Sequence, residues 1–157
     1  MNTVPSVADV IDLLRANQQS LAIAESLTGG ALGAAITSVP GSSDVFLGGV
    51  IAYSPLAKES ILRVKREKIE KYGVVSQEVA IAMAQGVQHL FGSTWGISTT
   101  GVAGPGESGG VRAGTVWIAI AGPINESTQL EVEGEREVVQ NASISRAIFA
   151  FARILGL

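Results

Sequence analysis

The sequence predicts an α/β fold, a three-layer α/β/α sandwich built on a mixed β-sheet. As far as Thr100, short apolar runs of strand length alternate with stretches of helical periodicity, the mark of strands covered by helices. Two strand-like runs, Thr115 to Ala121 and Thr128 to Glu133, then follow without a helix between them and add antiparallel strands to the sheet. A helical pattern from Glu137 to Leu155 closes the chain. At 157 residues and 46% hydrophobic content, residues 1–157 suffice for one well-buried domain and are too few for two comfortable ones.

Each element has a local reason. Val7, Val10, Ile11 and Leu14 share one face of a helix from Val7 to Ala16, with Ser6 as its cap and Pro5 just outside. Leu21 to Glu25 reads as a short buried strand, and Leu27 to Ser38 as a small-residue helix ended by Pro40-Gly41. Phe46 to Tyr53 is an apolar strand, after which Ser54 and Pro55 supply a cap and a first-turn proline for a helix reaching about Leu62. The cluster Arg63-Val64-Lys65-Arg66-Glu67-Lys68 reads as the solvated face of a short helix. Ser76 caps a helix running to Leu90, Trp95 to Thr100 is the next strand, and a glycine-rich loop from Gly101 to Gly114 leads into the final strands.

Composition excludes several classes of function. A formal charge of −3 with scattered basic residues leaves no footprint for nucleic acid or an anionic membrane, and glycines, prolines and charges interrupt every apolar run before membrane-spanning length. Asp9, Asp12 and Arg15 within the first helix fit neither a signal nor a transit peptide, so a cytoplasmic location is expected. The absence of cysteine removes thiolate nucleophiles, disulfides and thiolate metal sites, and no metal site or cofactor is expected. The one histidine, His89, falls in the last turn of a helix closed by Gly92, where interaction with the helix end is its ordinary role. Gly104 to Gly109 satisfies the dinucleotide pattern GxGxxG, but it runs on into a strand instead of opening a helix, so an NAD-type site is rejected.

Ser26 stands where the apolar run Leu21 to Ala24 gives way to Ser26-Leu27-Thr28-Gly29-Gly30. A serine before a helix is ordinarily a cap; the same position also exposes a nucleophile and aims the free N–H groups of a helix starting near Thr28 at its oxygen. The backbone of Thr28, Gly29 and Gly30 is then the candidate oxyanion donor. With no cysteine and His89 poorly placed, lysine is the first candidate for the base. Lys58 falls in the first turn of its helix, where the dipole and desolvation in a cleft both disfavour the ammonium. Working as a base at neutral pH would need a shift of roughly three units from ~10.4, or about 4 kcal/mol.

The segments AESLTGG (24–30), GSSDVFLGGVIAYSPLAKESIL (41–62), YGVVSQEVA (72–80), TTGVAGPG (99–106) and GTVWIAIA (114–121) resemble the CinA C-terminal domain family in order and spacing over nearly the whole chain. The resemblance is to the stand-alone form, without the N-terminal domain many CinA proteins carry. Its enzymatic members, of the PncC type, are nicotinamide-nucleotide amidases, which implies metal-free hydrolysis of the carboxamide of nicotinamide mononucleotide. By resemblance, Ser26 is the nucleophile and Lys58 the base, with Tyr53 and Thr100 orienting them or the substrate. Gly134-Glu135-Arg136 resembles a Gly-Asp-Arg segment of the family and suggests Arg136 as a phosphate contact, with Gly101, Gly104 and Gly106 offering backbone N–H groups to the substrate. Two departures, Glu135 in place of Asp and Val111-Arg112-Ala113 where the family has Lys-Pro-Val, fall in segments that would hold the substrate.

A second reading stays open at this level: a catalytically silent nucleotide-binding or interaction module, in keeping with the family's association with competence and DNA damage. On the amidase reading a small-molecule nucleotide substrate is the expected partner. A homo-oligomer is expected from the apolar loops and a flat sheet edge.

Overall fold

The computed structural model describes residues 4–157. One five-stranded sheet has the order β2-β1-β3-β4-β5. β1 (Leu21–Glu25) runs parallel to β2 (Phe46–Ile51) and to β3 (Trp95–Gly101), while β4 (Thr115–Ala121) lies antiparallel to both β3 and β5 (Glu126–Glu131). Helices α1 (Val7–Ala16), α2 (Ala31–Thr37) and α6 (Arg136–Leu155) accompany α3 (Pro55–Ser60), α4 (Arg66–Tyr72) and α5 (Gln77–Phe91).

Alternation along the strands divides the apolar residues into two cores, and with them the helices into two layers. Leu21, Ile23, Ile97, Ile118 and Ile120 face Ile11 and Leu14 of α1, Leu32 of α2 and Phe151 of α6. The intervening Ala22 and Ala24 face Met83 and Val87 of α5 together with Leu62 and Val64, and Ala119 and Ala121 face Ala80 and Ala84. The expected three layers and mixed sheet are therefore present, with large residues on one face and small ones on the other. The small face lets α5 lie very close to β3. A Cβ on Gly96 would come 2.2 Å from the Ala84 carbonyl oxygen, inside any tolerable contact. Gly96→Ala is accordingly expected to destabilise the protein by about 1–3 kcal/mol, as forced overpacking does, and a urea melt at unchanged m-value checks it.

Three elements differ from the sequence expectation. The second helix begins at Ala31 instead of Leu27, because Gly29 and Gly30 take left-handed φ values of 56° and 104° that break the helix before it starts. The last strand covers Glu126–Glu131, two residues earlier than expected. A short turn, Gly122 to Asn125, closes the hairpin as Asn125 Oδ1 accepts the Gly122 N–H, and strand pairing starts directly after it. The basic cluster is not one helical face: α4 starts only at Arg66, Val64 is buried, and Arg63 has a left-handed φ of 58°.

The topology fixes where a site can form. The C-terminal ends of β1, β2, β3 and β5 and the start of β4 meet at one edge of the sheet, and the chain leaves β1 and β3 in opposite directions. The resulting crevice is the position at which open α/β sheets bind ligands.

Candidate active site

Ser26 is the first residue beyond β1 and is held from both sides. Its N–H donates to the Thr99 carbonyl of β3, and the preceding Glu25 carbonyl accepts the Ala52 N–H from the segment after β2. The serine is only 7% exposed, so its hydroxyl faces protein on most sides.

Lys58 reaches Ser26 from the segment that follows β2. Ser54 caps α3 by accepting the Ala57 N–H, and Pro55 opens the helix with a preset φ, which places Lys58 one turn along and inward. Its Nζ donates to Ser26 Oγ at 2.8 Å and to the Ala52 carbonyl at 2.8 Å. The residue is 2% exposed and meets no carboxylate among its hydrogen-bond partners. Burial therefore disfavours the ammonium without compensation, lowering the pKa from 10.5 to about 8. The cause is desolvation alone; no helix-end contribution is needed.

The crevice opens into a cavity of about 330 Å³ whose wall includes Ser26, Leu27, Tyr53, Lys58, Thr100, Gly101, Gly104, Gly106 and Arg136. Together with Val74 and Val75, five segments far apart in sequence thus converge on one space. Tyr53, 61% exposed, stands at its mouth. Its hydroxyl accepts from Arg136 Nη2 at 2.9 Å, and Arg136 Nη1 donates to the Gly104 carbonyl at 2.7 Å. The guanidinium, at the first position of α6, bridges two loops and has no carboxylate partner among the described residues. Thr100 is buried with its hydroxyl donating to the Val74 carbonyl at 2.8 Å, so it anchors the 73–75 segment instead of touching Ser26 or Lys58.

Thr28, Gly29 and Gly30 do not line the cavity. Thr28 shares a 2.8 Å hydroxyl contact with Thr99, and the Gly29 N–H donates to the Ser26 carbonyl. The free N–H groups at the start of α2 point elsewhere: those of Leu32 and Gly33 donate to the Glu25 carboxylate at 2.8 and 3.1 Å. Glu25, buried beside Ser26, thereby ties the strand end to the helix start. Sequence reasoning did not single it out, though an acid just before a small-residue helix is a usable signal for such a cap. The Leu27 N–H, by contrast, has no protein acceptor among the described residues, and Leu27 lines the cavity.

Glu107 of the glycine-rich loop also lines the space, as do Val74 and Val75, which come from a loop with no chemical signature. Gln140 of α6 supports the floor by donating to the Leu27 carbonyl at 2.8 Å. His89 lies in the last turn of α5 and lines a different surface cavity. Among the described residues no group of three or more metal-ligating side chains comes together.

A model of the CinA C-terminal domain matches residues 4–155. The chain belongs to the CinA C-terminal domain family. A CinA-like protein of Parasynechococcus marenigrum (strain WH8102) is 43% identical over 150 residues, which cover 93% of this chain and 36% of that protein. Another, from Synechococcus sp. (strain RCC307), is 50% identical over 115 residues, covering 73% of this chain and 28% of the relative. The chain thus spans about a third of the length of these relatives. Among solved structures, the competence-damaged protein (CinA) superfamily protein of Klebsiella pneumoniae 700603 superposes with a TM-score of 0.92 at 30% identity, covering 96% of this chain and 95% of its own. That of Escherichia coli gives 0.89 at 28% identity, with 99% and 96% covered. The family domain carries the α/β sheet described above, and no helix among the described residues is long and apolar enough to cross a membrane.

Proposed function

We propose that this CinA-family domain is an amidohydrolase that converts nicotinamide mononucleotide and water to nicotinic acid mononucleotide and ammonia through a Ser-Lys pair. The observation that carries this reading is the 2.8 Å contact between Lys58 Nζ and Ser26 Oγ, with both groups buried at the rim of a cavity. A lysine with a pKa of about 8 is neutral in about a tenth of molecules at pH 7 and can take the serine proton as Oγ attacks the carboxamide carbon. The Leu27 N–H, next to Ser26, is a donor available to the developing oxyanion, a role that falls on the residue after the nucleophile in other strand-to-turn hydrolases. The protonated lysine returns the proton to the departing nitrogen, so that ammonia leaves and an ester remains on Ser26. Water, deprotonated by the same amine, then cleaves the ester and restores the serine.

The assignment of the mononucleotide as substrate draws on the family resemblance and on Arg136, a cation at the cavity mouth with two neutral hydrogen-bond acceptors. Binding energy from a remote phosphate can be used to position the amide, so free nicotinamide should be a poor substrate. Incubating the protein with nicotinamide mononucleotide and following ammonia together with nicotinic acid mononucleotide tests the reading; no product at millimolar substrate would refute it. Arg136→Ala should narrow the preference for the mononucleotide over nicotinamide by about 1.5–3 kcal/mol, the worth of a charged hydrogen bond. Specificity constants for both compounds measure this, and an unchanged ratio removes Arg136 from phosphate recognition.

A further inference from the structure

A second surface cavity, about 540 Å³, lies away from Ser26, between the turn after α3 and the outer side of α5. Its wall carries four basic side chains, Arg63, Lys65, Lys68 and His89, and no carboxylate. That segregation is pronounced in a chain with 14 acids against 11 lysines and arginines. Arg63, Lys65 and Lys68 form no ion pair among the described residues, although Arg66, in the same segment, pairs with Glu59. Apart from Gln85 the rest of the wall is apolar, with Ile61 and Leu90 both about half exposed. Arg63 itself sits at φ 58°, one of two non-glycine residues with positive φ among those described. A long side chain in the left-handed region is strained relative to glycine, a strain to be expected where the side chain has a use.

We propose that this cavity binds a small phosphate-bearing organic anion of about mononucleotide size, independently of the amidase site. A phosphomonoester carries close to two negative charges and several acceptor oxygens, which suits three permanent cations better than a single carboxylate does. The apolar wall suits an organic body attached to that phosphate, and the volume falls in the usual ~300–1,000 Å³ of small-molecule sites. Nucleic acid is a poorer occupant. The basic side chains are gathered in one concavity instead of forming a stripe along a surface, and the net charge is negative.

The probes are AMP, adenosine and inorganic phosphate, titrated separately at low salt into the 15N-labelled protein. The amides of Arg63, Gly86, His89 and Leu90 report on this cavity, and those of Gly101 and Gly104 on the amidase site. AMP should shift the first set with saturation and bind at least tenfold more tightly than either adenosine or phosphate. Arg63→Gly should weaken that binding at least tenfold without lowering the melting temperature, because glycine accepts the left-handed backbone at this position. Lys68→Ala, on the half-buried side of the same wall, should weaken it as well. The proposal is overturned if these amides do not saturate with AMP, if adenosine or phosphate binds as tightly, or if both variants bind AMP as the wild type does.

Discussion

Ser26→Ala is expected to lower kcat/KM for nicotinamide mononucleotide by at least about 10³-fold, equivalent to roughly 4 kcal/mol of transition-state stabilisation. The methyl group cannot form the ester on which the proposed route depends, and among the described residues no other hydroxyl is bonded to Lys58. The fold should survive. Lys58 keeps the Ala52 carbonyl as acceptor, and the pairing of Ser26 N–H with Thr99 involves only backbone, so the stability loss should stay within about 1–3 kcal/mol. Product formation and a urea melt on the same preparation separate the two effects. A variant that retains a tenth of wild-type turnover would end the nucleophile assignment.

Lys58→Met is expected to abolish activity too, and to leave a distinct thermodynamic mark. Burial lowers the lysine pKa from 10.5 to about 8, so between those values the unfolded chain binds more protons than the folded one. Stability must then rise with pH across that window, and below pH 8 the folded protein bears the full penalty of a buried ammonium. From pH 7 to 9.5 the wild type should gain about 2 kcal/mol relative to Lys58→Met, which lacks this amine. Parallel urea melts at the two pH values measure the difference; a constant gap would mean that Lys58 is not desolvated as described. In the same range wild-type kcat/KM should rise with an apparent pKa near 8 as the free base accumulates. His89→Ala, in another cavity, should leave that profile in place.

Much of the architecture was legible along the chain because its signals are local. Ser6, Ser54 and Ser76 accept the helix N–H groups that their positions predict, and Gly92 ends α5 with the left-handed φ of a helix cap. The strand Leu21–Glu25 ends where the apolar run gives way, which makes the bend at Ser26 legible in the sequence. The misreadings were local as well. Paired glycines delayed α2, and a residue-by-residue charge pattern treated Arg63 to Lys68 as one helical face although Val64 turns into the core.

By itself the sequence determined the α/β class, the order of elements and the residue types available for chemistry: no thiol, one histidine, and a serine and a lysine each following a strand. Only the tertiary structure decided what those residues became. Thirty-two positions separate Ser26 from Lys58, and their 2.8 Å contact exists because β1 and β2 are parallel neighbours whose ends open on the same edge. Likewise the start of α2 serves Glu25 and not Ser26, and Arg136 joins Tyr53 across 83 positions. Periodicity and capping depend on neighbours within a turn or two and can be read in order. Desolvation is the summed effect of segments from the whole chain, and so the lysine pKa on which the proposed chemistry turns belongs to the fold rather than to any stretch of sequence.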